Sequence, residues 1–349
     1  MKITSIFPMT RARFTEILDR MPQVQAGILG DLCLDGYWNV DMRKSSLSRE
    51  TPFFPMPVTG ERYSPGGAGN VACNLQALMQ HSPAVLGVTG DDWRGSILRD
   101  VLKKQGISTE HIVSSASAST NTYIKPMRHG YGAYAVESER LDFVNSAVIC
   151  GEDEESILES LKEMEKRLDV LCVSDQMEFG CITPRVREAL IDMGRRGMRI
   201  IVDSRDRIGL YSHVLLKPNE LEAARALDGS APLQEGAGLD ELSSIAAKLA
   251  EKTQSNVLLT MGGSGCMYVS GGEGRVCPAF RAEGPLDICG AGDTFMSALA
   301  CVWAAGAQMD EAMQIANLAS SITIRKIGVT GTATREELIE AWDAQQNEQ

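Results

Sequence analysis

The sequence predicts an α/β fold in which a mainly parallel sheet is wound with helices and carries a small antiparallel β lid. Short β-rich apolar runs alternate with amphipathic stretches along most of the chain, the pattern of a parallel sheet with helical crossovers. The runs end in polar residues or glycine, at the strand ends where such sheets bind ligands. Two segments, residues 37–63 and 120–143, break the alternation.

In chain order, QAGILGD (25–31) reads as the first strand of the central sheet, because a continuous apolar run is closed by glycine and aspartate. GNVACNLQALMQ (69–80) repeats apolar residues at helical spacing, AVLGVTGDD (84–92) is a strand, and GSILRDVLKKQG (95–106) is again helical. Helices are expected in EESILESLKEMEKRL (154–168), TPRVREALIDMGRRG (183–197) and ELSSIAAKLAEK (241–252). Strands fall between them at VLCVSD (170–175), MRIIVDS (198–204), HVLLKPN (213–219) and NVLLTMGG (256–263). A helix is expected after Thr294 and another from Met309 to Ile324, and the tail DAQQNEQ reads as a frayed end. Residues 37–63 are rich in proline, serine and aromatics, while 120–143 alternates and holds a Gly130-Tyr131-Gly132 turn. Together they make a small sheet split across two insertions, a lid that excludes water. The plainer alternative is a pair of surface hairpins.

The 349 residues, 44% hydrophobic and 23% charged, suit a folded chain. At about 150 residues per domain they allow two domains, or one α/β unit with an appendage; the second reading, a single domain over 1–349, is preferred. A net charge of -12 argues against nucleic acid as a partner. No apolar run approaches the roughly 18 residues of a membrane span, so no membrane partner and a cytoplasmic location are expected. Nine scattered cysteines without a CxxC pair imply reduced thiols, and four isolated histidines offer no ligand spacing.

The most informative stretch is GPLDICGAGDTFMSALACVWAAG, residues 284–306. Gly290, Ala291 and Gly292 let backbone approach a ligand at a helix start, where successive N–H groups make an anion hole. Asp293 lies inside that hole. A carboxylate there suits phosphoryl transfer, with the acid as base and the N–H groups stabilising the transferring charge; the plainer alternative is an N-cap. Gly66, Gly67 and Asn70 form GGxxN opening a helix after a proline. KPNELE, Lys217 to Glu222, puts a cation, an amide and carboxylates at a strand end, with Lys217 suited to phosphate and Asn219 and Glu222 to magnesium. Thr260, Gly262 and Gly265 of TMGGSG suit phosphate or nucleotide.

With these landmarks in order, and with GDLCLD near the N terminus, the sequence resembles the ribokinase (PfkB) family of sugar kinases over almost its whole length. The resemblance implies a ribokinase-like three-layer α/β/α sandwich with a lid that commonly pairs two chains, so a homodimer. It implies ATP and a sugar or sugar phosphate as substrates, with Mg2+ and K+ as the ions involved. Carried over, Asp293 is similar to the catalytic base, and Gly290, Ala291 and Gly292 to the anion hole. Asp35, Gly66, Gly67 and Asn70 match substrate positions, Asn219 and Glu222 the magnesium motif, and Thr260, Gly262 and Gly265 the nucleotide strand end. Lys217 resembles a phosphate-facing lysine, Asn317 lies on a helix that commonly flanks adenine, and Asp287 adjoins the monovalent-cation site, where Cys289 alters the usual motif.

One branch is more similar. GDLCLDGYW, SRETPFFP, PGGAGNVACN, SERLDF, ANLASSITIRKIG and GTATREEL resemble the kinase half of bacterial bifunctional heptose 7-phosphate kinase and adenylyltransferase enzymes. There the chain reads SDQMEFG, with Asp175 at a substrate position and Glu178 where the branch carries lysine, and Asp203-Ser204-Arg205 replaces Asp-Pro-Lys. Arg205 or Arg140 is then left to meet a phosphorylated sugar.

Other readings are weaker. Gly67 to Ala72 satisfies GxGxxA, with Asp91 about 20 residues on, but VTGERYSP before Gly66 lacks the strand a dinucleotide fingerprint requires. A non-catalytic sugar- or nucleotide-binding regulator on the same fold would have no need of Asp293 and Glu222. No Walker motif exists.

Overall fold

The computed structural model describes residues 2–130, 132, 135–228, 237–328 and 330–346; Tyr131 of the expected turn and the last three residues of the tail lie outside them. Among the described residues the strands are β1 (Lys2–Ser5), β2 (Ala26–Gly30), β3 (Leu32–Asp41), β4 (Val58–Gly67), β5 (Ala84–Gly90), β6 (Ile112–Ser115), β7 (Asn121–His129), β8 (Val136–Glu137), β9 (Leu141–Phe143), β10 (Val170–Asp175), β11 (Ile200–Ser204), β12 (Leu215–Leu216), β13 (Asn256–Thr260), β14 (Cys266–Ser270) and β15 (Glu273–Cys277). The helices are α1 (Arg11–Arg20), α2 (Ala68–Met79), α3 (Trp93–Lys104), α4 (Gly151–Met164), α5 (Pro184–Arg195), α6 (Glu220–Asp228), α7 (Leu239–Thr253), α8 (Ala291–Ala304), α9 (Met309–Thr323) and α10 (Arg335–Gln346).

The central sheet runs β1-β15-β14-β13-β12-β11-β10-β2-β5-β6. Every neighbouring pair in it is parallel except β13/β14 and β14/β15. Its middle strands are buried from end to end, as expected when helices cover both faces. Alternation along β10 separates the layers: Val170 and Cys172 join a core with α1, α2, α8 and α9, while Leu171 and Val173 join one with α4, α5 and α7.

The two segments that break the alternation form one second sheet, β4-β3-β7-β8 with β9 on β7, because β3 pairs parallel to β7. That sheet reaches beyond the expected bounds, from Leu32 and to Gly67. One expectation is corrected here: VTGERYSP is a strand, β4, feeding directly into α2. Its Pro65 and glycines hid it, and an edge position tolerates the proline. A dinucleotide fold is still refused, because β4 is antiparallel to β3 in the second sheet. A second correction concerns α8, which begins at Ala291 rather than Thr294, placing Asp293 in the first turn.

Candidate active site

Strands β10 to β13 deliver their carboxyl ends to one edge of the sheet, and the start of α8 faces that edge. Gly290 caps α8 with φ at +79°, and a Cβ there would lie 2.9 Å from Asn70 Nδ2 and 2.7 Å from Thr330 Cγ2. Among the described residues no protein acceptor meets the N–H groups of Gly292 and Asp293, so the helix start keeps donors free for an anion. The Asp293 side chain caps nothing. Its Oδ2 accepts from Asn70 Nδ2 at 2.6 Å. Burial pushes the half-buried carboxyl up to about 6; the Asn70 bond and Lys217 oppose that shift, while Asp203 and Asp35 add to it. Asn70 is held in turn, since Asn74 Nδ2 donates to its carbonyl at 3.0 Å and Thr294 Oγ1 donates to Asn74 Oδ1 at 2.9 Å. This chain of bonds ties α2 to α8.

Behind the helix start, Lys217 is 3% exposed and pairs with Asp203 Oδ2 at 2.8 Å. Burial works against its charge, but Asp203 with Glu222 and Asp293 together outweigh it, so Lys217 is held above the usual lysine range. Its Nζ lies 3.7 Å from where a Cβ on Gly292 would sit. Asn219 and Glu222 cap α6 reciprocally: Asn219 N donates to Glu222 Oε2 at 2.8 Å and Glu222 N to Asn219 Oδ1 at 2.9 Å. Burial, then the neighbouring Asp203, push the Glu222 carboxyl up. Thr260 bridges to Asn219 and donates to the Pro218 carbonyl at 3.3 Å. Gly262 and Gly265 take φ of +51° and +96° in the turn that follows. Asn317 points at Cys266, Cys277 and Pro278 behind that turn.

On the second sheet, β3 and β7 place Asp35 beside Tyr123 and Tyr37 beside Lys125. Burial raises Asp35, while Lys125 and Arg140 draw it back. Gly66 gives it room, since a Cβ there would lie 2.8 Å from Asp35 Oδ2. Gly67 turns the chain at φ +55°, where a Cβ would meet the Asp31 carbonyl at 2.4 Å. Lys125 is half-buried, donates to Tyr37 Oη at 3.4 Å, and forms no ion pair among the described residues. Arg140 is already paired with Asp142 at 2.6 Å. Arg205 is exposed and unpaired among the described residues, and the Glu178 side chain is exposed too.

Asp175 stands apart from the other expected substrate residues. It is 1% exposed and its oxygens are taken by Arg207, Ser204 Oγ and Tyr211 Oη, the last two at 2.8 Å. Asp287 holds two loops together, accepting from the N–H groups of Cys289 and Gly328, each at 3.0 Å. Sequence reasoning missed Lys125 and Asp31. Asp31 accepts three backbone N–H bonds, from Gln176 and Cys181 at 2.8 and 2.9 Å and from Met177 at 2.7 Å, which burial outweighs in pushing its carboxyl to about 6. Among the described residues no cluster of three or more His, Cys, Asp or Glu could hold a metal, and no helix is long and apolar enough to cross a membrane.

The sheet edge thus gathers a carboxyl, open backbone N–H groups and a buried lysine, and the family match gives the class, that of a carbohydrate kinase. The profile of the pfkB family carbohydrate kinases matches residues 47–176 and 199–335, and the chain belongs to that family. It is 31% identical over 337 residues to the bifunctional protein HldE of Geotalea uraniireducens, and 30% identical over 338 to that of Trichlorobacter lovleyi. Each match takes in 95% of this chain but only 65% and 66% of those proteins, so the chain spans about two-thirds of their length. Among solved structures, phosphofructokinase-2 from Escherichia coli in complex with potassium superposes with a TM-score of 0.70 at 18% identity, covering 93% of this chain and 99% of that one. Arabidopsis thaliana ribokinase complexed with ribose and ATP gives 0.66 at 19%, covering 91% and 98%.

Proposed function

We propose that this chain transfers the γ-phosphate of ATP to a hydroxyl of a sugar phosphate of the heptose type, with Asp293 accepting the proton of the attacking hydroxyl. The observation that carries the reading is the Asp293 carboxyl, raised to about 6 by burial, held by Asn70 beside the open N–H groups of Gly292 and Asp293. A base with that pKa is deprotonated near neutral pH yet still draws a proton. The N–H groups and Lys217 favour negative charge on the transferring group.

The hard oxygen donors Glu222 and Asn219, with Asp203 near enough to raise Glu222, fit a divalent ion shared with nucleotide phosphates. Bound there, Mg2+ would neutralise phosphate charge. The Thr260–Gly265 turn receives the nucleotide, Asp35 and Asn70 the sugar hydroxyls, and the loop held by Asp287 is where K+ would act. The second sheet serves as a lid. Phe53 and Phe54, on the connection between β3 and β4 and 73% and 60% exposed, support pairing of two chains through it.

The half-buried Lys125 without an ion-pair partner, with Arg205 unpaired nearby, supports an anionic acceptor. Arg140 has its charge met by Asp142, which supports the second reading, an unphosphorylated sugar. The test is an ADP-release screen across sugars and their phosphate esters, with Asp293→Asn as control. Turnover of no member of either set, by a protein that binds ATP, would leave the non-catalytic regulator standing.

A further inference from the structure

Cys266 opens β14 and Cys277 closes β15, and the two are direct partners in the antiparallel register. Such partners have Cα atoms about 4.5 or 5.5 Å apart, and both separations lie within the roughly 4.4–6.8 Å that a disulfide spans. Both thiols are free and buried, and each shifts the titration of the other. Asn317 is 7% exposed, and its amide lies 3.2 Å from Cys277 Sγ and 3.6 Å from Cys266 Sγ. The same amide donates to the Pro278 and Cys277 carbonyls at 3.1 and 3.4 Å, so one buried polar group holds both sulfurs and the backbone that follows β15.

The pair is also asymmetric. Hydrogen bonds from Cys266 and Asn317 hold the Cys277 thiol below its usual range, while burial pushes Cys266 well above it. Cys277, with Pro278, Phe280, Gln314 and Arg325, lines a cavity of about 530 Å³ between the segment after β1, the segment after β15, α9 and α10. Cys277 itself is 2% exposed, and this cavity is the path by which a small oxidant would reach it.

We propose that Cys266 and Cys277 are a modification site, a dithiol that hydrogen peroxide converts to a cross-strand disulfide. The Cys277 thiolate attacks one peroxide oxygen, the O–O bond breaks, and the departing hydroxide takes up a proton as water, leaving a sulfenic acid. The Cys266 sulfur then attacks the sulfenic sulfur. The S–S bond forms, the S–O bond breaks, and a second water leaves with the Cys266 proton. The two sulfurs lose two electrons, which the peroxide gains.

The consequence reaches the nucleotide turn. Gly265 precedes Cys266, and a Cβ on it would fall 2.1 Å from the Cys277 carbonyl oxygen, so this turn rests directly on the pair. Resting on the reading that the Gly262–Gly265 turn receives ATP, the disulfide changes nucleotide affinity as well as thiol chemistry.

The experiment treats the full chain with hydrogen peroxide, blocks remaining thiols by alkylation, and maps linked peptides by mass. The expected result is one linkage joining the peptides of Cys266 and Cys277, reversed by dithiothreitol and absent from Cys266→Ala and Cys277→Ser. Recovery of both residues alkylated, after peroxide has oxidised the exposed Cys150 and Cys289, overturns the proposal. The map needs no catalysis, so its failure is separate from failure of the kinase reading. A shifted ATP titration in the oxidised protein supports the coupling to the turn; an unshifted one overturns the coupling.

Discussion

Asp293 carries opposing influences: burial and the carboxylates of Asp203 and Asp35 favour its neutral form, while Asn70 and Lys217 favour the charged form. Only the charged form accepts a proton, so kcat/KM should rise with pH and level off above about 6. Asp293→Asn should remove that limb and lower turnover by at least about 100-fold while ATP still binds. Asn70→Ala deletes a bond to the charged form, so the limb should move to higher pH; a limb that stays in place would show that Asn70 only braces α2. Asp293 and Asn70 stood out in the sequence because small residues and a proton acceptor at a helix start have few other uses, and the structure brings the two into contact. Asp175 misled, because its carboxylate is consumed by Arg207, Ser204 and Tyr211, and nothing in its own strand announces partners some thirty residues on. Lys125 was silent for the converse reason, since the sequence does not say which side of β7 faces Asp35.

Elements that bury a continuous apolar run, such as β2 and β10, were readable from composition. The hairpin β14–β15 was overlooked although Gly271-Gly272 marks its turn, with φ of +57° and +81° as such a turn needs. At the junction of β4 and α2, Gly67→Ala puts a side chain at φ +55° and 2.4 Å from a carbonyl oxygen. Strain and overpacking together should cost at least about 2 kcal/mol, read as a lowered denaturant midpoint; an unchanged midpoint would mean that the junction relaxes freely. Glu222→Gln tests the start of α6 differently. Glutamine also serves in a capping box, so stability should hold while the magnesium needed for half-maximal turnover rises. An unchanged magnesium titration would reduce the Asn219–Glu222 pair to a helix cap.

At the scale of the whole molecule, a chain of net charge -12 repels an anionic sugar unless local cations outweigh that field. Lys125 is placed to do so, on the second sheet beside Asp35, with Arg205 opening toward the same region through its influence on Tyr123 and Glu222. A hydrogen bond to a charged group contributes about 1.5–3 kcal/mol, so Lys125→Met should raise KM for a sugar phosphate by at least about tenfold. The neutral sugar should lose far less, and the loss for the ester should shrink as salt rises. Glu178→Lys is the complementary change: the Glu178 side chain is exposed, and a cation in its place should speed capture of the ester without altering the neutral sugar. Equal losses for ester and sugar in Lys125→Met would mean that this lysine holds the Tyr37 side of the lid rather than the substrate. A wild-type preference for the neutral sugar would overturn the heptose phosphate reading itself, leaving the Asp293 chemistry untouched.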